Sequence, residues 1–298
     1  MGKIIFSVVT TVLNEEESIC PLLDTLINQS VVPGEIIIVD AGSNDRTVEL
    51  IKQKVSHSVV PIKCMYSPGI SRSAARNDGI RQAVYQHIAV TDAGCEVDRD
   101  WLKYLQQGFG EGIEAVAGFY LPKVDQPIQA VFSRFTCVSS EAFNYSTFLP
   151  SSRSIAFTKQ AWTQVGGYPE ELDTCEDLVF AKRLFDTGKM TVANKAIVYW
   201  RQAENLQAYF KQIAGYARGD VEAGYKPHVL RIVSVWGRYV AFLVFPPLFI
   251  LYTIYVWFKF RIGLKQIEDA VTTFLVQITT DWAVMSGSVL GLMRRLKR

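Results

Sequence analysis

The sequence has few of the residues that build metal and redox centres. Its 298 residues include only three histidines and five cysteines, and no two cysteines form a Cys-x-x-Cys pair. This pattern is neither a zinc site nor a disulfide framework, so we predict a reducing compartment. No Gly-x-Gly-x-x-Gly follows a predicted strand, which disfavours a Rossmann oxidoreductase.

The chain also lacks a charge excess. It has 31 Lys and Arg residues and 29 Asp and Glu residues, which gives a net charge of +2. This near-balance argues against a broad basic surface, and we expect no nucleic-acid partner. We find no internal repeat and no low-complexity linker, so residues 1–225 are predicted to form one compact unit.

Short Val- and Ile-rich runs alternate with amphipathic stretches over the first 120 residues. The predicted strands are Ile4–Thr11, Glu35–Asp40, Pro61–Met65, His87–Thr91 and Glu114–Phe119. The predicted helices between them are Glu17–Gln29, Asp45–Lys54, Arg72–Gln86 and Asp98–Gln107. This alternation predicts an α/β fold with a mostly parallel central sheet and helices on both faces. Ligands of such sheets bind beyond the carboxyl ends of the strands.

The sequence changes character in residues 226–298, which we predict to be a membrane-associated helical region. Tyr239–Phe258 has no charge over twenty residues, the length of a membrane span, although Pro246-Pro247 would kink a helix or make a re-entrant hairpin. Ala270–Met293 is the second predicted span, with Asp281 near its centre. The alternative is that both stretches are buried core helices.

The basic residues of this region favour one orientation. If both stretches span, the shorter outer loop carries fewer basic residues than the other side, which agrees with a catalytic domain facing the cytoplasm. The basic tail, residues 294–298, suits anionic headgroups. The outer-loop residues are Lys259, Arg261 and Lys265, against Lys226, Arg231, Arg238 and the tail.

Polar motifs follow the first two strands. The first strand ends in TTVLNEE (10–16) and the second in VDAGSNDRT (39–47). Asp40 stands at a strand terminus, where its carboxylate can accept hydrogen bonds from a ribose or a base. Ser43 or Asn44 is a candidate cap for the next helix, whose free N–H groups can receive an anion.

Charged motifs follow later in the chain. In PGISRSAARNDGI (68–80), Arg72 and Arg76 share one helical face, and two guanidinium groups beside carboxylates suggest diphosphate recognition. TDAGCE (91–96) follows the fourth strand with acidic groups suited to a hard divalent cation. Glu176-Asp177 opens a predicted helix, where acidic residues also favour the helix dipole whatever the function.

In this order and spacing, the motifs resemble those of the family 2 glycosyltransferases, enzymes with the GT-A (nucleotide-diphospho-sugar transferase) fold. That family has strand-[ST]-x-x-Asn-Glu, VD-x-GS-x-D-x-T, ARN-x-G, an acidic DxD-type motif and a Glu-Asp pair. The GGYPE segment (166–170) also matches, and the resemblance covers about residues 4–200.

The resemblance implies a role for each matching residue. Asp177 would be the general base that deprotonates the acceptor, with Glu176 beside it, and one base with in-line displacement implies inversion. The implied metal ligands are Asp92 and Glu96, holding Mg²⁺ or Mn²⁺. The implied nucleotide-sugar-binding residues are Thr11, Leu13, Asn14, Glu15, Asp40, Ser43, Arg72, Arg76, Asn77 and Asp92.

Two positions depart from the family pattern. Ala41 stands where many relatives have a second Asp, and Gly94 replaces the second Asp of the DxD motif. Glu96 is the candidate substitute ligand, or Asp92 acts alone with bound waters. The segment Ser151–Ser154 precedes a strand-like stretch and is a further candidate for contact with the donor phosphate or the acceptor.

We therefore hypothesise a membrane-associated, inverting glycosyltransferase in glycan or glycolipid biosynthesis. It would move a sugar from a nucleotide-diphosphate donor to a lipid or lipid-linked acceptor, and a homo-oligomer is possible. The alternatives are a transferase with a soluble acceptor and a catalytically silent nucleotide-sugar-binding or scaffold subunit, which the departures at Ala41 and Gly94 would allow.

Overall fold

The computed structural model describes residues 4–172, 174–260 and 267–297. They fall into two compact units. The first unit runs to Lys123 and resumes over Cys137–Arg201, and the second comprises Val124–Thr136 and the chain from Gln202 onward. The predicted boundary at 225/226 differs from this division, because helix Leu206–Ala223 packs along a C-terminal helix of the second unit.

The first unit is built on an eight-stranded sheet. The strands are β1 (Phe6–Val12), β2 (Glu35–Asp40), β3 (Ile62–Tyr66), β4 (His87–Val90), β5 (Cys95–Val97), β6 (Ala115–Lys123), β7 (Ile155–Thr158) and β8 (Met190–Arg201). Their order across the sheet is β3-β2-β1-β4-β7-β6-β8-β5. Strands β1 to β4 pair in parallel, as predicted, and β6 also pairs in parallel with β8.

The prediction of a mostly parallel sheet needs correction, because β7 runs antiparallel to both β4 and β6, and β5 runs antiparallel to β8. The sheet is therefore mixed. The sequence after residue 120 had no clear strand-helix alternation, so the periodicity that identifies parallel pairs was absent there.

The sheet is covered on both faces. Its helices are α1 (Ile19–Ile27), α2 (Thr47–Val55), α3 (Arg72–Gln82), α4 (Trp101–Gly108), α6 (Lys159–Gln164) and α7 (Glu176–Asp186). Successive residues of a strand point to opposite faces. Val8 and Ile36 accordingly pack with α1, α2 and α4, whereas Val9 and Ile37 pack with α3, α6 and α7. In α1, the apolar residues at helical spacing are fully buried at Ile19, Leu22, Leu23 and Leu26, and Ile27 is partly buried against the same core.

The second unit is helical. Its helices are α5 (Pro127–Thr136), α8 (Leu206–Ala223), α9 (Lys226–Val244), α10 (Pro247–Phe260) and α11 (Ile267–Arg295). Phe132 stacks on Tyr209 with ring centroids 4.3 Å apart, and the two belong to a small core shared by α5, α8 and α11.

The first predicted span, 239–258, is not one helix. Helix α9 ends at Val244 and α10 begins at Pro247, because proline has no N–H to donate within a helix. The second, 270–293, lies within α11. Among the residues that the structure describes, no helix has the length and apolar character needed to cross a membrane, so neither predicted span is confirmed. Of the outer-loop residues, Arg261 and Lys265 lie outside the described residues.

Asp281, the charge within the second predicted span, is buried and fully partnered. Arg238 Nη2 lies 2.7 Å from its Oδ1, and the Tyr252 hydroxyl donates to its Oδ2 at 2.6 Å. Gln277 Nε2 adds a further hydrogen bond at 3.0 Å. The carboxylate therefore ties α9, α10 and α11 together.

Candidate functional site

The loops after β1 and β2 are fastened to each other at the carboxyl edge of the sheet. The Ser43 hydroxyl accepts a hydrogen bond from the Asn14 N–H at 2.9 Å and donates to Asp40. The Asn14 side-chain oxygen accepts the Asn44 N–H at 2.9 Å, and Asn14 takes a left-handed backbone conformation with φ of 56°. These contacts bring the first two motifs together, as the parallel register predicts.

Asp40 has a different environment from the one expected. It is completely buried, and its carboxylate accepts the backbone N–H groups of Gly42 and Ser43 as well as the Ser43 hydroxyl. Both oxygens therefore hold the turn after β2. Its predicted contact with a ribose or base stays a prediction.

The other predicted residues at the end of β1 and in the loop after it are partly buried or exposed. Thr11 is partly buried, whereas the Leu13 side chain is 54% exposed. Glu15 is partly buried, and burial raises the pKa of its carboxyl group, an effect that Asp92 reinforces and Arg72 opposes. Glu15 therefore interacts electrostatically with the charged cluster that contains Asp92 and Arg72.

Arg76 lies at the centre of that cluster. It is 1% exposed, its Nη2 lies 2.6 Å from Asp92 Oδ1, and its Nη1 lies 2.7 Å from Glu176 Oε1. Burial alone would lower the pKa of Arg76, but the two carboxylates raise it, so the guanidinium stays charged. Arg76 was predicted to lie near the diphosphate or its loop; in the structure its guanidinium joins the end of β4 to the start of α7, and its contact with the diphosphate stays a prediction.

The Asn77 side chain also makes its hydrogen bonds within the protein. Its Nδ2 donates to the Tyr168 carbonyl at 2.9 Å and to Glu170 at 2.8 Å. Its Oδ1 accepts the Tyr168 N–H at 3.0 Å and the Trp162 Nε1–H at 3.1 Å. The buried amide has four partners, so it holds the GGYPE segment against α3, and its contact with the nucleotide sugar stays a prediction.

Arg72, unlike Arg76, has an exposed guanidinium group. Its side chain is 56% exposed, and its Nη1 lies 3.8 Å from Glu176 Oε1. It also lowers the pKa of Asp92. Of the two arginines predicted to meet the diphosphate, Arg72 is therefore the one accessible to a ligand.

Asp92 is held in its charged form. Burial would raise the pKa of Asp92, but Arg76, Arg153 and Arg72 outweigh that effect and lower it to about 2. Arg153 Nε lies 3.9 Å from Asp92 Oδ2. The carboxylate at the end of β4 therefore faces three guanidinium groups.

Each predicted metal ligand is paired with a basic side chain. Asp92 is paired with Arg76, while Glu96 is paired with Lys123. Within the described parts of the chain, no three Asp, Glu, His or Cys side chains are grouped to hold a metal ion. These residues do not fit a cation site made by the protein alone, because cationic side chains already neutralise both carboxylates.

Glu176 and Asp177, at the start of α7, have different environments. Glu176 is 2% exposed, and its burial raises the pKa of its carboxyl group, with Arg76 opposing the shift. Asp177 is only partly buried and accepts the Ser151 hydroxyl at 2.9 Å and the Leu178 N–H at 2.8 Å. Glu176 is thus a partner of Arg76, and Asp177 is the carboxylate with access to a substrate.

The segment Ser151–Ser154 was predicted as a candidate contact for the donor phosphate or the acceptor, and in the structure two of its residues make contacts that the sequence did not predict. Ser151 binds Asp177, and Arg153 packs against Trp200 with its Cζ 3.9 Å from the ring centroid. No sequence spacing signals these contacts, because Ser151 precedes Asp177 by 26 residues and the segment between them folds into β7 and α6.

The sequence of the chain is similar to those of known proteins. Residues 7–147 match the family described as glycosyl transferase family 2. The chain is 26% identical over 207 residues to the O-antigen chain rhamnosyltransferase RfbN of Salmonella typhimurium, covering 63% of this chain and 65% of the relative. It is 27% identical over 220 residues to poly-beta-1,6-N-acetyl-D-glucosamine synthase of Staphylococcus aureus, covering 70% and 53%. The chain thus spans roughly half to two thirds of the length of these curated relatives.

Solved structures share the fold. The mannosyltransferase PcManGT from Pyrobaculum calidifontis, in complex with GDP-Man and Mn²⁺, aligns with a TM-score of 0.60 at 16% identity, covering 98% of this chain and 86% of its own. Residues 1–349 of S. aureus TarS, in complex with UDP-GlcNAc, align with a TM-score of 0.53 at 18% identity, covering 72% and 66%. At these identities the likeness shows a GT-A-like α/β fold.

Proposed function

The chain carries a family 2 glycosyltransferase domain, and from that premise we propose that it transfers one sugar from a nucleotide-diphosphate donor to an acceptor, with inversion. The observation that carries the proposal is the partly buried Asp177 carboxylate, which two hydrogen bonds fix in place near Arg76. A positioned carboxylate is the group that an acceptor hydroxyl needs, since a neutral hydroxyl is a poor nucleophile.

The proposed step balances within the donor and acceptor. Asp177 takes the proton of the acceptor hydroxyl, and the oxygen forms a bond to the anomeric carbon. The bond from that carbon to the diphosphate breaks on the opposite face, and its electron pair stays on the leaving nucleoside diphosphate. Arg72 is the exposed cation beside the charge that develops there. In-line attack on one face inverts the anomeric configuration.

A divalent cation stays a prediction. Mg²⁺ or Mn²⁺ would stabilise the leaving diphosphate, but Asp92 and Glu96 are paired with arginine and lysine. We therefore derive no step through a metal ion. The silent-subunit alternative is not favoured, because the family motifs and an accessible Asp177 are both present.

We further propose that the acceptor is a lipid or a lipid-linked glycan and that the second unit associates with the cytoplasmic face of a membrane. Apolar side chains at the junction of α9 and α10 support this, with Leu243 84% and Val244 80% exposed. Contiguous exposed apolar surface is uncommon in soluble monomers. The basic residues at the end of α11, Arg294 and Arg295, suit anionic headgroups.

A donor panel tests the activity. Membranes carrying the protein are incubated with nucleotide sugars, with Mg²⁺, Mn²⁺ or a chelator, and released nucleoside diphosphate is measured with and without lipid extract. We expect lipid-dependent release from one donor. Donor binding without release under every condition would favour the silent subunit.

Vesicle flotation tests the membrane proposal separately. We expect the protein to float with vesicles containing anionic lipid, and the double variant Leu243→Glu/Val244→Glu to lose that binding. Val59→Glu is the matched control, because Val59 is 91% exposed in the first unit. Equal flotation of the double variant and the control would contradict membrane association through this junction.

A further inference from the structure

The two oxygens of the Asp177 carboxylate are each held by a separate hydrogen bond. The Leu178 N–H donates to Oδ1 at 2.8 Å, and the Ser151 hydroxyl donates to Oδ2 at 2.9 Å. One bond comes from the first turn of α7 and the other from the segment before β7. A carboxylate held at both oxygens cannot rotate about its terminal bond without losing one of them.

The direction of the Ser151 hydrogen bond is fixed by Arg153. Arg153 Nη1 donates to Ser151 Oγ at 3.0 Å. A guanidinium only donates and an ionised carboxylate only accepts, whereas a hydroxyl has one hydrogen to give. The Ser151 hydrogen is therefore committed to Asp177, and the charge on Arg153 strengthens the bond by polarising the hydroxyl.

Arg153 is itself held in place by rings on two strands. Its Cζ lies 3.9 Å from the Trp200 ring centroid on β8 and 5.0 Å from the Tyr120 ring centroid on β6. These two rings meet edge to face at 5.6 Å. On the other side, Arg153 Nε lies 3.9 Å from Asp92. The guanidinium group that donates to Ser151 is therefore packed against side chains of the sheet rather than of a loop.

From this geometry we propose that Ser151 is a positioning residue, which aims the Asp177 carboxylate at the acceptor hydroxyl. The proposal rests on the proposed function, in which Asp177 is the general base. A general base works only when its lone pair points at the proton that it removes, and small misplacements of a reacting group cost large factors in rate. Ser151 acts through Asp177 and need not touch the substrate.

The variants Ser151→Ala and Ser151→Thr test this role in the donor-release assay. We expect Ser151→Ala to lower kcat by about tenfold to a hundredfold, because the Asp177 carboxylate is no longer held in one orientation. We expect KM for the nucleotide sugar to change by less than about threefold, because the nucleotide sugar loses no contact. Ser151→Thr keeps the hydroxyl, and we expect it to restore kcat to within about threefold of the wild type.

Ser56→Ala is the matched control. Ser56 equally loses a hydroxyl, but that hydroxyl is exposed at the end of α2, where it donates to the Gln53 carbonyl at 2.8 Å. We expect its kcat to stay within about threefold of the wild type in folded protein. An unchanged kcat in Ser151→Ala, or a loss that Ser56→Ala matches and Ser151→Thr does not rescue, would overturn the proposal.

Asp177→Asn in the same assay separates the two proposals. If it leaves turnover intact, the general base has been misassigned and the proposed function needs another residue. If it abolishes turnover while Ser151→Ala keeps the wild-type kcat, the positioning role alone fails.

Crystal structures give a readout that does not need turnover. In Ser151→Ala we expect the Asp177 carboxylate to occupy a rotated or mixed conformation, and an unchanged single conformation would contradict the proposal.

Discussion

Arg76 Nη1 lies 2.7 Å from Glu176 Oε1, in an ion pair between two almost fully buried side chains that are one hundred positions apart in the sequence. The same guanidinium binds Asp92 through its other amino group. This bridge fixes the start of α7 against the end of β4. The position of Asp177, the residue after Glu176, therefore depends on this buried bridge.

We expect Arg76→Met to destabilise the fold strongly. Removing the guanidinium leaves two carboxylates without their partner in a buried site, a change that typically costs about 3–5 kcal/mol in free energy of unfolding. Chemical denaturation measures this difference. Arg81→Met is the control on the same helix, because Arg81 is 52% exposed in its pairs with Asp78 and Glu170, and exposed pairs contribute about 1 kcal/mol or less. Equal losses in the two variants would contradict the bridging role.

The pairing of Asp92 predicts a pH-dependent stability. Its folded-state pKa of about 2 lies below the value of an unfolded chain, so the pair stabilises the fold above pH ~4, and that stabilisation is lost as the pH falls through about 2. We expect Asp92→Asn to lower the free energy of unfolding by about 2 kcal/mol at pH 7, with the difference shrinking between pH 4 and 2. Denaturation curves at several pH values measure it.

The control for that series is Asp78→Asn, which alters an exposed ion pair with Arg81. We expect it to change the free energy of unfolding by less than about 1 kcal/mol at neutral pH. A constant difference between wild type and Asp92→Asn from pH 7 to pH 2 would show that the Asp92 charge is not what stabilises the site.

Arg72 is expected to act on the donor. Because its guanidinium is exposed while that of Arg76 is buried, Arg72→Ala should raise KM for the nucleotide sugar about tenfold or more and leave the free energy of unfolding nearly unchanged. Steady-state kinetics with the active donor measure this. Arg46→Ala removes a comparably exposed arginine, 68% exposed, from the start of α2. A donor KM that is the same in both variants would remove Arg72 from the donor site.

The sequence predicted the elements that depend on local patterns. Strand β2 was predicted at its observed bounds, and α1 lies within the predicted helix Glu17–Gln29, because both follow from the spacing of apolar residues. The family resemblance is confirmed by the match over residues 7–147. The antiparallel strands β5 and β7 were not predicted as members of the sheet, since each is only three or four residues long.

The candidate site was predictable as a set of positions but not as a set of contacts. Strand-end residues such as Asp40 and Asp92 were located from the rule that parallel strands place ligands at their carboxyl ends. Whether a side chain faces a ligand or the protein depends on long-range packing. Asn77 and Arg76 share their motif with Arg72, yet burial turns the first two inward and leaves Arg72 exposed.

The most direct test of the account compares donor binding and turnover in the wild type and in Asp177→Asn. Asparagine keeps the size of the side chain but cannot take a proton, so we expect turnover to fall by about 10²–10⁴-fold while the Kd for the nucleotide sugar, measured by calorimetry, stays within about threefold. Turnover close to the wild-type value in folded Asp177→Asn would show that Asp177 is not the base and would contradict the proposed mechanism.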